Sequence, residues 1–368
     1  MRLREPVEPE PDHTGVGKVS FQTTPYACSN WRIEMNKFIN FAAGFLLASV
    51  TTASADDLPK LTIYTYDSFV SDWGPGPAIK KAFEKTCNCE LNLVGAGDGA
   101  ALLSRLQLEG MRTQADIALG LDTNLTARAA STGLFANHNN SLKNLNLPID
   151  WSDDLFIPYD WGYFAFIYDN IKVKNPPKSF QELIMMPDDF KIVIQDPRSS
   201  TPGLGLLLWV KEAYPDRAAE IWEGLAPKIL TVTAGWSEAY GMFTEGEADM
   251  VLSYTTSPAY HIIAENDETK SAANFDEGHY MQIEVAAKLA SSKNPVLADK
   301  FLEFMTSNDF QSIIPTTNWM YPAVLPKNGL PDGFEKLISP SKSLLIPSDK
   351  AENVRSEALS EWLTALSQ

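Results

Sequence analysis

The chain is poor in the residues that build metal centres and catalytic dyads. It holds three cysteines and four histidines in 368 residues. No histidine lies beyond His279, although an α/β hydrolase carries its base after its acid, late in the chain. Cys87 and Cys89 have no nearby histidine or third cysteine to complete a metal site. Across Asn88 they are either an oxidised pair ending a helix or two free thiols. Cys28 precedes an apolar run but has Pro25 three residues before it, which does not suit lipid attachment. Bases are also short: 30 against 47 acids, a net charge of −17. Such a surface disfavours nucleic acid and anionic membrane and mildly favours cations. The apolar run over 38–50 is too short to span a bilayer, which takes about 20 residues. Nothing repeats at a fixed period.

Residues 1–34 are proline-rich, polar and aperiodic, and read as disordered or as an extension upstream of Met35. Lys37, the short apolar run and Ala53-Ser54-Ala55 make residues 35–55 a secretory signal cleaved after Ala55. Export permits the Cys87–Cys89 disulfide.

Beyond the signal, the chain is organised around residues 64–77. Leu61 to Tyr64 is short and β-branched, so a buried strand is expected. Pro75 and Pro77 suit the start of a helix. Between them lie Tyr66, Trp73, Asp67 and Asp72. Open α/β sheets bind ligands where a strand's carboxyl end meets a helix N-terminus, and rings with acids there suit a flat cationic guest. The unit recurs. Strands over 90–94, 115–120, 192–195, 229–233 and 248–253 each run into a polar or aromatic loop and a helix. Asp98-Gly99, Ser200, Trp236, Tyr254, Tyr260 and Trp319 sit in such loops. Asp122 either faces a ligand or precedes a helix capped by Thr123 or Asn124; Ser200 either holds an anion or caps its helix. Trp209 and Trp222 fall mid-helix and read as core. A helix over 348–366 is expected to be exposed, with Trp362 near its end.

Strands alternating with helices give an α/β fold, here split into two α/β domains with a cleft between them. Aromatic crossover strands near 163–168 and 280–285 read as hinges. The expected divisions are 56–160 plus 282–325 for domain I, 161–281 for domain II, and a C-terminal helical segment over 326–368 that packs back on them.

Six stretches carry a resemblance: YTYDSFVSDWGPGP (64–77), NCEL (88–91), QDPRSSTPGLGLLLW (195–209), GWSEAYG (235–241), VLSYTTSPAYH (251–261) and NWMYP (318–322). The sequence resembles the periplasmic thiamine-binding proteins of bacterial ABC transporters. That resemblance implies a type II periplasmic-binding-protein fold and no catalysis. It also implies capture of thiamine and its mono- and diphosphate as ligands rather than cofactors, and delivery to an inner-membrane permease by a monomer. The ligand-contacting positions it implies are Tyr66, Trp73, Asp98, Gly99, Ser200, Trp236, Tyr254, Tyr260 and Trp319.

Two rivals are weighed. A ferric-ion binder of the same fold needs tyrosinate ligands, for which Tyr254 and Tyr260 are available, but a ring-rich cleft suits a small ion poorly. A secreted hydrolase would use Gly235-Trp236-Ser237-Glu238-Ala239 as its nucleophile turn, and this ends in Ala where Gly is expected.

Overall fold

The computed structural model describes residues 58–367. The signal segment and everything before it lie outside the described residues. The strands are β1 (Lys60–Thr65), β2 (Glu90–Gly95), β3 (Ile117–Asp122), β4 (Ile157–Asp169), β5 (Ile192–Gln195), β6 (Ile229–Thr233), β7 (Met250–Tyr254), β8 (Lys270–Ala272) and β9 (His279–Lys288), with short β10 (Tyr321–Pro322) and β11 (Ser343–Leu344). Their order is β2-β1-β3-β9-β4-β7-β5-β6. Two parallel triads, β2-β1-β3 and β7-β5-β6, thus flank the long antiparallel pair β9 and β4. β4 pairs with β9 through its first half, Ile157 to Tyr163, and with β7 through its second, Phe164 to Tyr168. β9 is buried along its whole length, and β3 likewise. Strands covered on both faces are usually apolar at nearly every position; β3 is so up to Asp122, whereas β9 also buries His279, Gln282, Glu284 and Lys288.

Each parallel strand ends in a loop that starts a helix, and these helices cover the sheet. Gly76–Cys87, with Ile79 and Phe83 buried, packs against β2 and the helix Pro295–Met305, where Phe83 meets Phe301 edge-on at 5.0 Å. Asn88 takes the left-handed conformation after it, and the chain closes a Cys87–Cys89 disulfide with Cα atoms 5.2 Å apart. Thr201–Ala213 is apolar nearly all round and is buried from Thr201 to Val210. Its Trp209 is fully buried among Phe166, Phe180 and Phe275, and the indole N–H donates to Gly278 O at 3.0 Å. Trp222 is also core.

Three expectations are corrected. The helix Ser348–Leu366 is not simply exposed. Ala351, Ala358, Trp362 and Ala365 fall on one face at helical spacing and are buried, the helix packing against Thr201–Ala213 and Ala218–Leu225. Thr123 and Asn124 cap no helix: the next one begins at Thr126 without a side-chain cap, and Asn124 Nδ2 instead donates to Asp122 Oδ2 at 2.7 Å. Asp122 is fully buried and does not reach the cavity that opens between the two triads.

Trp209→Ala should remove about 3–5 kcal/mol of stability, because it empties a large buried site and strips Gly278 O of its donor. Urea denaturation followed by circular dichroism measures this, and an unchanged midpoint would contradict the packing of Trp209 among its three phenylalanines.

Candidate functional site

The carboxyl ends of strands from both triads open into one cavity of about 380 Å³. That lies near the lower end of the roughly 300–1,000 Å³ common for small-molecule sites. Seven of the residues singled out in the sequence line it: Tyr66, Trp73, Asp98, Trp236, Tyr254, Tyr260 and Trp319. The other two, Gly99 and Ser200, are buried behind Asp98 and are not part of its wall.

Tyr66 ends β1. Its ring lies against Gly120, where a Cβ would come within 2.2 Å of Tyr66 Cδ1. Gly120 has a φ of +100° and sits where the register of β3 with β9 shifts, so a glycine bulge makes the room that the ring occupies. Trp73 follows a short helical turn, Asp67–Val70, and is 55% exposed. Its ring meets that of Trp236 at the cavity wall, tilted by 54° with centroids 6.2 Å apart. Trp236 opens the helix Trp236–Thr244 and is clamped: it stacks on Tyr240 at 4.9 Å and its indole N–H donates to Ser253 Oγ at 2.8 Å. On the other side Tyr260 meets Trp319 edge-on at 5.4 Å. Trp319 has a φ of +57°, a strained conformation for a large residue, and its N–H is tied to Ile314 O. Strain of this kind persists where surrounding contacts over-determine it, and it clusters at functional sites.

Asp98 joins the two triads. It precedes the helix Gly99–Glu109, accepts from Ser200 Oγ at 2.7 Å ahead of Thr201–Ala213, and accepts from Trp236 N at 3.1 Å. Three helix N-termini therefore converge on one carboxylate, as their partial positive charge favours. The Ser200 hydroxyl is spent on Asp98 rather than on capping its own helix, and Gly99 N donates to Thr201 Oγ1 at 3.2 Å. Burial pushes the Asp98 carboxyl up to about 6, opposed by these hydrogen bonds.

Glu284, absent from the sequence expectations, completes the wall, and Asp160 lies buried behind it. Glu284 on β9 accepts from the Tyr159 hydroxyl at 2.7 Å and from the Tyr66 hydroxyl at 3.1 Å. Asn318 donates to Asp160 Oδ2 at 2.6 Å. Burial, reinforced by their mutual repulsion, raises the Asp160 carboxyl well above its ordinary value, and burial raises Glu284. An acid inside an apolar strand, as in Gln282-Ile283-Glu284, is the signal that could have revealed them. Gln282 Nε2, buried at the wall, has no partner among the described residues. Among the described residues lining the cavity there is no lysine, arginine or histidine, while Asp98, Glu265 and Glu284 are acids. Rings and carboxylates without a counter-base form a receptor for an aromatic cation. The arrangement suits ferric iron less well, because burial and acidic neighbours push the Tyr254 phenol well above its ordinary value and oppose tyrosinate. Ser237 has no hydrogen-bonded histidine among the described residues; His261 instead contacts Tyr240 and Glu265.

The comparisons with known proteins point the same way. The model of the family described as bacterial extracellular solute-binding protein matches residues 75–312. The thiamine-binding periplasmic protein of Escherichia coli K12 is 53% identical over 322 residues, covering 88% of this chain and 98% of that protein. The protein of the same description from Brucella abortus is 53% identical over 91% of this chain and all of its own length. A solved periplasmic thiamin binding protein superposes with a TM-score of 0.82 at 54% identity, over 84% of this chain and 97% of that one. Iron-bound HitA of Pseudomonas aeruginosa, at 24% identity and a TM-score of 0.67 over 83% of this chain and 99% of its own, shares the fold.

One buried acid behind the site yields a pH prediction. Burial pushes Asp122 up to about 7, and Asn124 offsets only part of it. The native state therefore holds this proton more tightly than the unfolded chain, where an Asp titrates near about 4. Its stabilising contribution is full below about pH 4 and is lost as pH rises through about 7. Asp122→Asn should flatten the decline of stability over that window, measured by urea midpoints at successive pH values. A decline as steep as wild type would contradict a raised Asp122.

Proposed function

The chain belongs to the bacterial extracellular solute-binding proteins, among the thiamine-binding periplasmic proteins, and from that premise we propose how its own residues capture the ligand. It is the periplasmic substrate-binding component of a thiamine ABC importer, a type II binding protein that hands its ligand to a membrane permease and is not an enzyme. The single observation that carries the ligand assignment to this site is a cavity lined by the rings of Trp73, Trp236, Tyr254, Tyr260 and Trp319 and by three acids, with no base among the described lining residues.

Thiamine joins a cationic thiazolium to a flat aminopyrimidine. Trp73, Trp236, Tyr254, Tyr260 and Trp319 provide faces and edges for both rings, each cation–π contact contributing roughly 0.5–2 kcal/mol once water is excluded. Gln282 Nε2, unpartnered among the described residues, offers a hydrogen bond to the pyrimidine. Asp98 takes the pyrimidine amino group or moves to admit the alcohol arm. In the second case Gly99, Ser200 and the helix N-termini behind it receive thiamine mono- or diphosphate. Closure runs between residues 56–160 plus 282–325 and residues 161–281, with 326–368 packed back on them. The bending falls in β4 and β9, the two long strands shared by the parallel triads. A ligand that touches both sides favours the closed state through its greater affinity for it. In this reading the protein acts as a monomer.

Thiamine should quench the intrinsic tryptophan fluorescence, and Trp236→Ala should weaken its binding by roughly 1–3 kcal/mol through lost stacking and burial. The variant should melt close to wild type, since Trp236 lies on a cavity wall. Equal affinity in variant and wild type would remove Trp236 from the site; no quenching and no heat on titration would remove thiamine.

The mature chain begins at Asp56, after Ala53-Ser54-Ala55. N-terminal sequencing of periplasmic protein should read Asp-Asp-Leu-Pro, and a sequence retaining Met35 would contradict it.

A further inference from the structure

Glu284 occupies a position the aromatic site does not explain. In the register of the sheet it pairs with Asp122 on β3 to one side and with Asp160 on β4 to the other. Side chains of directly paired residues point to the same face, so three carboxyls lie in a row across three adjacent strands. All three are buried, and only Glu284 reaches the cavity. Asp122 Oδ1 and Asp160 Oδ1 have no hydrogen-bond partner among the described residues. The titratable groups that face the row from the surrounding elements are Tyr66 after β1, Asp98 after β2, Tyr159 on β4, Tyr254 at the end of β7 and Tyr280 on β9. Every one is an acid or a phenol. Like charges this close and this dry do not all ionise together.

We propose that Glu284, backed by Asp160 and Asp122, is the counter-charge for the cationic ring of the ligand, and that the row exchanges one proton for that cation when the ligand binds. This rests on the thiamine reading above. The balance is simple: without ligand the row keeps a proton on a carboxyl oxygen, and with the fixed cation against Glu284 that O–H bond breaks and the proton leaves to solvent. The raised carboxyls of Asp122, Asp160 and Glu284 agree with a row that holds on to a proton. The exchange selects for fixed positive charge, because a neutral ring of the same shape leaves the proton in place.

The test is calorimetric titration of the whole mature protein with thiamine in two buffers of different ionisation enthalpy, between about pH 6 and about pH 8. Up to about one proton should be released per thiamine, with affinity rising by up to about tenfold per pH unit while the row titrates. The hydroxymethyl aminopyrimidine fragment of thiamine, which lacks the thiazolium, should bind more weakly and release none. Glu284→Gln should abolish the release, and Asp160→Asn should shift the affinity rise to lower pH. Should either variant fail to fold, infrared difference spectra of wild type decide the matter: the carbonyl band of a protonated carboxyl should lose intensity with thiamine and keep it with the fragment. Thiamine binding with no proton release and no loss of that band overturns the inference and leaves the thiamine reading standing. Release that survives in folded Glu284→Gln overturns it as well. No binding at any pH overturns both.

Discussion

The antiparallel pairing of β4 with β9 is the constraint on which the rest depends. These two strands are long because each serves two neighbours: β4 pairs with β9 and then β7, and β9 pairs with β4 and β3. Each parallel triad can therefore bury its own sheet and helices while the chain passes between them only a few times. The carboxyl ends of the triads meet over this seam, which is where α/β sheets present their loops. The cavity is a consequence of that meeting rather than a separate feature.

The same seam decides the chemistry. Rings reach the cavity from the loops, where exposure costs little and a ligand can displace water. Glu284 reaches it from a strand, where burial makes charge expensive. Asp98 stands between the two cases. It is held by Ser200 and by the backbone of Trp236 at the convergence of three helices, so one carboxylate ties both triads together. The structure thus holds two kinds of acid: a hydrogen-bonded carboxyl at the edge of the cavity and a buried row of carboxyls beneath.

Aromatic packing supplies rigidity around both. Trp236 stacks on Tyr240, and Tyr240 in turn stacks on His261. Tyr260 touches His261 as well as Trp319. The two ring walls are therefore coupled through one buried histidine that hydrogen-bonds to Tyr240 and Glu265. A wall assembled in this way loses little side-chain entropy when a ligand arrives, because its rings are already fixed.

By itself the sequence determined the strands, the helices and the loop rings, because each follows from short-range rules. Leu61 and Ile63 alternate into a strand, Pro75 and Pro77 start a helix, and Tyr66 and Trp73 fall between them. The burial of Trp209 and Trp222 followed from their mid-helix positions. Tertiary structure alone decided which polar atoms face each other. Ser200 and Asp98 are 102 residues apart, and the hydroxyl that could have capped a helix bonds to the acid instead. Trp362 looked exposed until the helices of 201–213 and 218–225 were placed against it. Glu284, Asp160 and Asp122 lie on three strands far apart in the chain, and only the register of the sheet sets them in a row. Periodicity reports which face of an element is apolar; it carries no information on what stands across from a buried acid, and for a charge in a dry site that neighbour decides everything.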